Sequence, residues 1–411
     1  MRYVVLGSSA AGINGIRSIR SIDKDGEITL ISKDREVYSR CILHHYMEGI
    51  RSLRELDFTE PDFMKIHRVY WIQGQAVTGI DSGEREVLCE DGRKVPYDRL
   101  LIATGSHSFF PPVPGLKESG NVFGFRNFDD IQQILAAAER ASHIVVMGAG
   151  LVGIDCVSGL LDLGKDMALI DMQDHMLSMQ LDVQAAKAYE EAFAKKGLKQ
   201  YYSTGIKAVQ SDAHGNVSGV VLSDGTQLPC DLLVVTAGVR PNIDFLEGSG
   251  IAVDERGLAI DVEGRTNVEG VFGAGDVTGR NPIWPVAVKE GIIAGSNMAG
   301  KHKLMTDFFA SKSTMNFLGI ATMSLGIHTP PDETYRVERA LDEERGIYKK
   351  VIHKDGKIYG AILQGDFAYS GILTQLIRRN VDVSKVKKPL FQIDYSDFFH
   401  MDENYEFYFE D

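Results

Sequence analysis

The apolar positions follow one order twice along the chain. Tyr3-Val4-Val5-Leu6 is an apolar run of strand length, and Ile13, Ile16 and Ile19 then recur at helical spacing. Glu27-Ile28-Thr29-Leu30-Ile31 reads as the second strand. Residues 69–103 alternate in short strands around the turn signals Asp81-Ser82-Gly83 and Asp91-Gly92, which predicts a β-meander ending in the buried run Leu100-Leu101-Ile102. The second half repeats this with Val145-Val146-Met147, a helical stretch, Met167-Ala168-Leu169-Ile170, a meander and Leu232-Leu233-Val234-Val235. So long a period means two domains and not a solenoid. Pro111-Pro112-Val113-Pro114-Gly115 reads as the linker, followed by a helix over about 128–140.

The strand-to-helix joints carry the chemistry. Gly148, Gly150 and Gly153 stand at G-x-G-x-x-G spacing, with Leu151 and Val152 opening the helix. The first glycine makes the turn, the second lets the backbone approach a pyrophosphate, and the third lets helix pack on strand. The helix N-terminus then offers N–H groups and partial positive charge to phosphates. Asp171 ends the next strand, where an acid hydrogen-bonds a ribose 2′-hydroxyl and repels a 2′-phosphate. Gly7-Ser8-Ser9-Ala10-Ala11-Gly12 is a weaker copy, with Ser9 in place of the middle glycine. A serine is small, and its hydroxyl can donate to a phosphate oxygen. Here the second strand ends at Ser32-Lys33-Asp34, so no carboxylate stands at Ser32; Asp34 either replaces it or is a solvated turn charge. The fold class is therefore α/β: two Rossmann-like dinucleotide-binding domains, three-layered and each with a β-meander, plus a small α+β C-terminal domain.

At 411 residues, two or three domains are expected. A 44% hydrophobic share marks a globular chain, and no apolar run is long enough to span a membrane. The chain enters a strand almost at once, without a signal-peptide pattern, so a cytoplasmic location is expected. Cys41, Cys89, Cys156 and Cys230 are far apart and indicate neither a disulfide framework nor a metal site. A formal charge of −13 argues against nucleic acid as a partner.

Further candidates lie in the loops. In Tyr38-Ser39-Arg40-Cys41-Ile42-Leu43-His44-His45, Arg40 either pairs with a phosphate or lies on the surface. Cys41 is either a redox thiol or a small packed hydrophobe. His44 and His45 either donate protons or are plain surface and packing residues. Ala103-Thr104-Gly105 and Ala237-Gly238 are small-residue turns after buried strands. Gly273 and Gly275 allow close approach to Asp276, whose carboxylate could accept from a ribityl hydroxyl, cap the helix starting near Pro285-Val286, or do both. That helix, running to Met298, could turn its N-terminal dipole to an electron-accepting ring. From about 308 the character changes. Strand-like pieces flank Lys354-Asp355-Gly356, and a helical run covers Gly371 to Arg379. The stretch Asp394–Asp411 holds seven acids and no Lys or Arg, with Tyr395, Phe398, Phe399, Tyr405, Phe407 and Tyr408 among them. Disorder would explain the charge but not the aromatics, so a docking segment is expected, against this chain, a twin subunit or a partner.

These motifs together resemble the FAD- and NAD(P)-dependent pyridine nucleotide–disulfide oxidoreductase superfamily over essentially the whole chain. The resemblance implies an FAD site from Gly7, Ser9, Ala10, Ala11, Gly12, Ser32, Lys33, Arg40, Ala103, Thr104, Gly105, Gly275, Asp276, Pro285 and Val286. It implies an NAD site from Gly148, Gly150, Leu151, Val152, Gly153, Asp171, Ala237 and Gly238, taking NADH in preference to NADPH. Asp155 is similar to a carboxylate near the nicotinamide; on the chain's own terms it is a first-turn acid favoured by the helix dipole. The implied domains are a discontinuous FAD-binding domain, 1–107 and 232–305, an inserted NAD-binding domain, 108–231, and a C-terminal domain, 306–411, of the kind that forms a homodimer interface. Tyr38 to Leu43 and Ile347 to Ser370 resemble NADH:rubredoxin reductases and the flavin domain of nitrite reductases. Cys41 also stands where NADH oxidases, NADH peroxidases and coenzyme A disulfide reductases carry a single redox cysteine. Ala10, where the peroxidases have histidine, does no acid–base work.

Three functions follow, in order of preference. The first is hydride transfer from NADH to FAD, with electrons passed on to a rubredoxin-like protein or another small acceptor; Arg378, Arg379 and Lys385 to Lys388 could form its basic patch. The second is a Cys41-dependent reductase of a disulfide, polysulfide or peroxide, or an NADH oxidase. The third is a nucleotide-binding protein that reports redox state through its tail.

Overall fold

In the computed structural model, residues 1–306 and 312–409 are described. The start of the C-terminal segment, 307–311, and the tail acids Glu410 and Asp411 lie outside the described residues, as do the side chains of Phe407 and Phe409.

The run Tyr3 to Leu6 is apolar at every position because strand Arg2–Leu6 has a parallel neighbour on each side and is covered on both faces. The sheet order is Val271–Gly273, Arg99–Ile102, Arg2–Leu6, Glu27–Ser32, Val69–Gln73, all parallel. One correction to the meander follows. Val69–Gln73 is a strand of this parallel sheet, pairing Ile72 with Ile31. Only Val77–Asp81, Glu86–Cys89 and Lys94–Pro96 form the antiparallel meander. Alternation alone does not separate a sheet edge from a hairpin, and no two-residue turn joins 73 to 77.

One core lies between the sheet and two helices, Ala10–Ile22 and Trp284–Met298. The other lies between the sheet and the meander, around Val87, Tyr97 and Leu258. The two helices touch through small residues. A Cβ on Gly291 would stand 2.2 Å from the Ala11 carbonyl oxygen, and one on Gly295 would stand 2.4 Å from that of Gly15.

By its contacts the chain divides into two compact units. The first is Met1–Pro112, Asn121–Arg140 and Val234–Ala310; the second is Val113–Gly120, Ala141–Leu233 and Ser311–Asp411. In the second, Lys199–Tyr201, Asp166–Ile170 and His143–Met147 lie side by side in parallel. An antiparallel meander follows, of Ile206–Ser211, Val217–Leu222 and Gln227–Pro229. The C-terminal sheet is antiparallel, ordered Lys312–Phe317, Ile320–Gly326, Lys357–Gln364, Ile347–Lys354, Arg336–Asp342, with helix Ser370–Arg379 on its core.

A polar seam runs inside this second unit. Asp182 caps helix Val183–Lys195 by accepting the Ala185 N–H at 3.1 Å. It also accepts from Tyr348 Oη at 2.8 Å and from Lys350 Nζ at 2.7 Å, and Lys350 is 2% exposed. The Tyr189 hydroxyl donates to the Ile320 carbonyl at 2.7 Å, and Gln364 Nε2 donates to Thr322 Oγ1 at 3.0 Å and to the Ala185 carbonyl at 3.1 Å.

The tail folds as a short 3₁₀ turn, Tyr395–Phe398, and a hairpin of Phe399–Met401 and Phe407–Phe409. Phe398 is buried in the C-terminal core, while Tyr395, Phe399, Tyr405 and Tyr408 are exposed. Lys388, expected in a basic patch, is instead paired with the tail acids Asp394 and Asp397. Among the described residues no helix is long and apolar enough to cross a membrane, and no cluster of His, Cys, Asp or Glu could hold a metal ion.

Candidate functional site

Both glycine loops are built alike. Gly7 N–H donates to the Ile31 carbonyl at 2.8 Å, and Gly148 N–H donates to the Ile170 carbonyl at 2.8 Å. Both glycines have positive φ, +106° and +114°, which a side chain would strain. The first loop is held tightly from below. A Cβ on Gly7 would meet the Ala103 carbonyl oxygen at 2.2 Å, and one on Gly12 would meet the Gly7 oxygen at 1.9 Å. Ser9 is the N-cap of helix Ala10–Ile22, and its side chain makes no capping bond. Ser8 is 2% exposed, and its hydroxyl has no hydrogen-bond partner among the described residues. An orphaned hydroxyl beside the N–H groups of a first helical turn fits a phosphate, which would satisfy both.

Around this loop the first unit gathers the other small-residue turns. Ala103 N–H bonds Leu6 and Ala274 N–H bonds Ile102, so the turns Ala103-Thr104-Gly105 and Gly275-Asp276 follow adjacent strands. Asn242 clasps Thr104, donating Nδ2 to its carbonyl at 2.8 Å. Val286 is buried and Pro285 exposed in the first turn of helix Trp284–Met298. That helix is capped at Ile283 and not by Asp276, which corrects the capping alternative. Asp276 opens a 3₁₀ turn, and its Oδ2 pairs with the Arg126 guanidinium and accepts from Ser106 Oγ at 3.1 Å.

Arg40 is neither a surface residue nor a spare cation. It bonds Asp34 Oδ2 at 2.7 Å and Asn127 Oδ1 at 3.3 Å, and lies over the Tyr38 ring. Tyr38 Oη donates to Asp34 Oδ1 at 2.7 Å, so Asp34 is no solvated turn charge. The Ser32 hydroxyl is committed too, donating to the Asp34 carbonyl at 2.7 Å and accepting from Trp71 Nε1 at 2.9 Å, while Lys33 is exposed. Arg126 and Asn127 therefore tie the loop after the second strand to the Asp276 turn. The sequence reading missed both, along with Ser106 and Glu290. A signal for the first pair was Asn127-Phe128-Asp129-Asp130, since Asp130 Oδ2 accepts the Arg126 and Asn127 N–H groups at 2.9 Å as a helix-start clasp.

Cys41 is exposed on the 3₁₀ turn Arg40–Ile42, whereas Cys89, Cys156 and Cys230 are buried. It is thus no packed hydrophobe. His44 and His45 sit on the short helix Leu43–Met47 with their rings 4.3 Å apart. Burial, with His45 beside it, pushes the His44 imidazole down to about 4. A ring neutral at pH 7 is no proton donor in the charged form.

The second unit holds the other loop. Gly150 is the N-cap of helix Leu151–Leu161, and a Cβ there would meet nothing within 4 Å, so the approach to its backbone is open. Gly153 is buried, and Val152 is exposed beside it. Asp171 accepts the Ala149 N–H with one oxygen and the Gln173 N–H with the other at 2.7 Å. These two bonds fix the carboxylate beside the glycine loop. Asp155 is half-buried on the same helix, next to the fully buried Cys156, whose thiol burial pushes far up. Ala237 and Gly238 lie in the first unit, where Gly238 leads into Val239–Pro241 paired with Ser106–Ser108.

Two dinucleotide loops of this build, each on its own parallel sheet, define an oxidoreductase that works between two nucleotide cofactors. Comparison with known proteins agrees. Residues 1–291 match the family described as pyridine nucleotide-disulphide oxidoreductase, and residues 312–381 match the rubredoxin NAD+ reductase C-terminal domain. The chain belongs to the pyridine nucleotide-disulphide oxidoreductase family. Members bind FAD and NAD(P)H, and this chain is an FAD-dependent NAD(P)H oxidoreductase. It is 30% identical over 399 residues to the epsilon subunit of an NADH-dependent phenylglyoxylate dehydrogenase of Aromatoleum evansii, covering 94% of this chain and 93% of that one. It is 27% identical over 393 residues to an NAD(P)H nitrite reductase of Bacillus subtilis, covering 94% of this chain but only about half (48%) of that longer protein. A NAD-dependent persulfide reductase from A. fulgidus superposes with a TM-score of 0.83 at 25% identity, over 93% of this chain and 77% of that one.

Proposed function

We propose that the chain is an NADH-dependent flavoprotein reductase that passes electrons to a small redox protein. The observation that carries the acceptor class is the C-terminal sheet over 312–381, similar to the C-terminal domain of rubredoxin reductases. A relative that is itself named as a subunit of an NADH-dependent dehydrogenase supports a protein acceptor as well.

The first unit holds FAD. Gly7 to Gly12 cradle its pyrophosphate with the first-turn N–H groups and the Ser8 and Ser9 hydroxyls. Asp276, oriented by Arg126 and Ser106, accepts from its ribityl chain. The second unit holds the nicotinamide nucleotide, with Gly148 to Gly153 on the pyrophosphate and Asp171 selecting NADH. Asp155 stands on the same helix on the nicotinamide side. FAD, when bound, takes a hydride equivalent from NADH and can release the electrons one at a time. The chain's own contribution is to fix both rings, exclude water and set the local charge. Its reductant and its buried free cysteines suit a reducing compartment, and we place it in the cytoplasm.

A second reading rests on the exposure of Cys41 and the similarity to a persulfide reductase: the thiolate attacks the S–S bond of a disulfide or polysulfide, forming a mixed disulfide and expelling the other sulfur as a thiolate, and the electron pair from NADH then reduces the mixed disulfide. Anaerobic NADH titration of the purified protein, wild type and Cys41→Ser, separates the two. The proposal expects full bleaching with one equivalent in both proteins, no long-wavelength thiolate-to-flavin band, and rapid reduction of an added rubredoxin. An additional electron pair taken up by the wild type alone, with such a band, overturns it in favour of the sulfur chemistry.

A further inference from the structure

Glu290 is a buried carboxyl that the reading above does not use. It is 8% exposed, on helix Trp284–Met298, and its Oε2 accepts the Gly275 N–H at 2.7 Å. Gly275 is the residue before Asp276, and a Cβ there would press on Ala11 Cβ at 3.0 Å, in the first turn of the phosphate helix. Glu290 therefore stands behind both FAD motifs of the first unit at once. The helix packed against it presents Ala11 and Gly15 on this side, neither of them titratable. The charged groups that act on it are Arg280, which favours the carboxylate, and Asp276, itself paired with Arg126, which opposes it. Among the described residues no cation forms an ion pair with Glu290. A buried carboxyl without a paired cation is costly to keep ionised. Burial raises it to about 7, with the Gly275 N–H and Arg280 pulling the other way.

We propose that Glu290 is a positioning residue that couples charge in the flavin site to a proton: it holds the Gly275-Asp276 turn and protonates as negative charge accumulates there. The proton comes from solvent and goes to the carboxyl oxygen that does not accept the Gly275 N–H, so the hydrogen bond survives in both states. The inference rests on the assignment of FAD to this unit.

The test is the midpoint potential of the holoenzyme from pH 5.5 to 8.5, for wild type and Glu290→Gln. Glutamine keeps a carbonyl oxygen for Gly275 but cannot titrate. The wild type is expected to take up one further proton per electron pair in a band around neutrality, a tenfold change per pH unit that steepens the slope by about 30 mV per pH unit for a two-electron couple. Glu290→Gln should lack that band while keeping the flavin spectrum. Identical slopes in the two proteins overturn the proposal. If the variant loses its flavin, protons taken up by the wild type on photoreduction are counted with an indicator dye in weak buffer. A count that rises near pH 7 and fades at pH 5.5 supports the coupling, and a constant count overturns it. A wild type that purifies without yellow colour, and does not take up added FAD, refutes the FAD assignment itself.

Discussion

Gly291→Ala tests whether the crossing of the two flavin-side helices positions the phosphate loop. The added methyl would sit 2.2 Å from the Ala11 carbonyl oxygen and 2.9 Å from two further Ala11 backbone atoms. Backbone cannot rotate aside as a side chain can, so the helices must part by roughly 1 Å to reach van der Waals distance. Overpacking of this kind costs about 1–3 kcal/mol. Against it stands about 1 kcal/mol of helix propensity gained on replacing glycine. With backbone as the obstacle, the upper half of the range applies, leaving a net loss of about 1–2 kcal/mol. Ala11 carries part of that displacement, and it lies in the first turn, whose N–H groups face the phosphate loop. FAD should then bind about tenfold more weakly, since about 1.4 kcal/mol is a factor of ten. The assay is the temperature of flavin release, read by flavin fluorescence, together with the affinity of the stripped protein for FAD. Gly371→Ala is the control. It is also a helical glycine, but its Cβ would approach only Tyr395 Oη at 3.8 Å, so the same change should leave FAD release unaltered and stabilise slightly. Release from Gly291→Ala at or above the wild-type temperature would refute the reasoning.

Three further outcomes are expected. Asp171→Ala should raise the NADPH-to-NADH ratio of kcat/KM at least tenfold while weakening NADH binding, because the carboxylate also fixes the Ala149 and Gln173 N–H groups; steady-state rates with both nucleotides decide, and an unchanged ratio counts against Asp171 as the selector. Lys350→Ala strands Asp182 in a seam where Lys350 is 2% exposed, and should cost about 3–5 kcal/mol, seen as faster amide exchange across Ile347–Lys354; Lys350→Met with Asp182→Asn should lose much less. His44 has a folded pKa of about 4 against about 6.5 when unfolded, so the native state binds fewer protons between these values and stability falls as pH drops from 6.5 toward 4, by about 3 kcal/mol in all. Urea midpoints at pH 7.5 and pH 5 should differ less in His44→Gln than in the wild type, and an equal difference would remove His44 from the account.

Much of the fold was legible because its signals are local. A strand, a positive-φ glycine and a helix follow one another within a dozen residues at both loops, and parallel strands covered on both faces appear as unbroken apolar runs. The helix over Phe128–Arg140 and the strands around Lys354-Asp355-Gly356 were visible for the same reason. What stayed hidden depends on residues far apart in sequence. Arg126 meets Asp276 across 150 positions, and nothing at either position announces the other. Arg40 was read as a phosphate ligand or a surface residue because its partners, Asp34 and Asn127, come together only after folding. Glu290 carries no mark in the sequence, because its burial against Gly275 arises only when helix and turn pack together. The assignment of Val69–Gln73 to the meander failed because alternation reports exposure of one face, and an edge strand of a parallel sheet is also half-exposed.

The seam of Asp182, Tyr189, Thr322, Tyr348, Lys350 and Gln364 sets a rule for exchanging parts among relatives. A crossover between the nucleotide-binding segment and the C-terminal sheet would separate donors from acceptors that are buried together. An apolar join tolerates such a swap if the volumes match, whereas a polar join leaves orphaned groups on both sides. The C-terminal sheet of this chain is therefore portable only with its cognate helix Val183–Lys195, and hybrids cut just before residue 312 should express poorly unless both sides of the seam come from one parent.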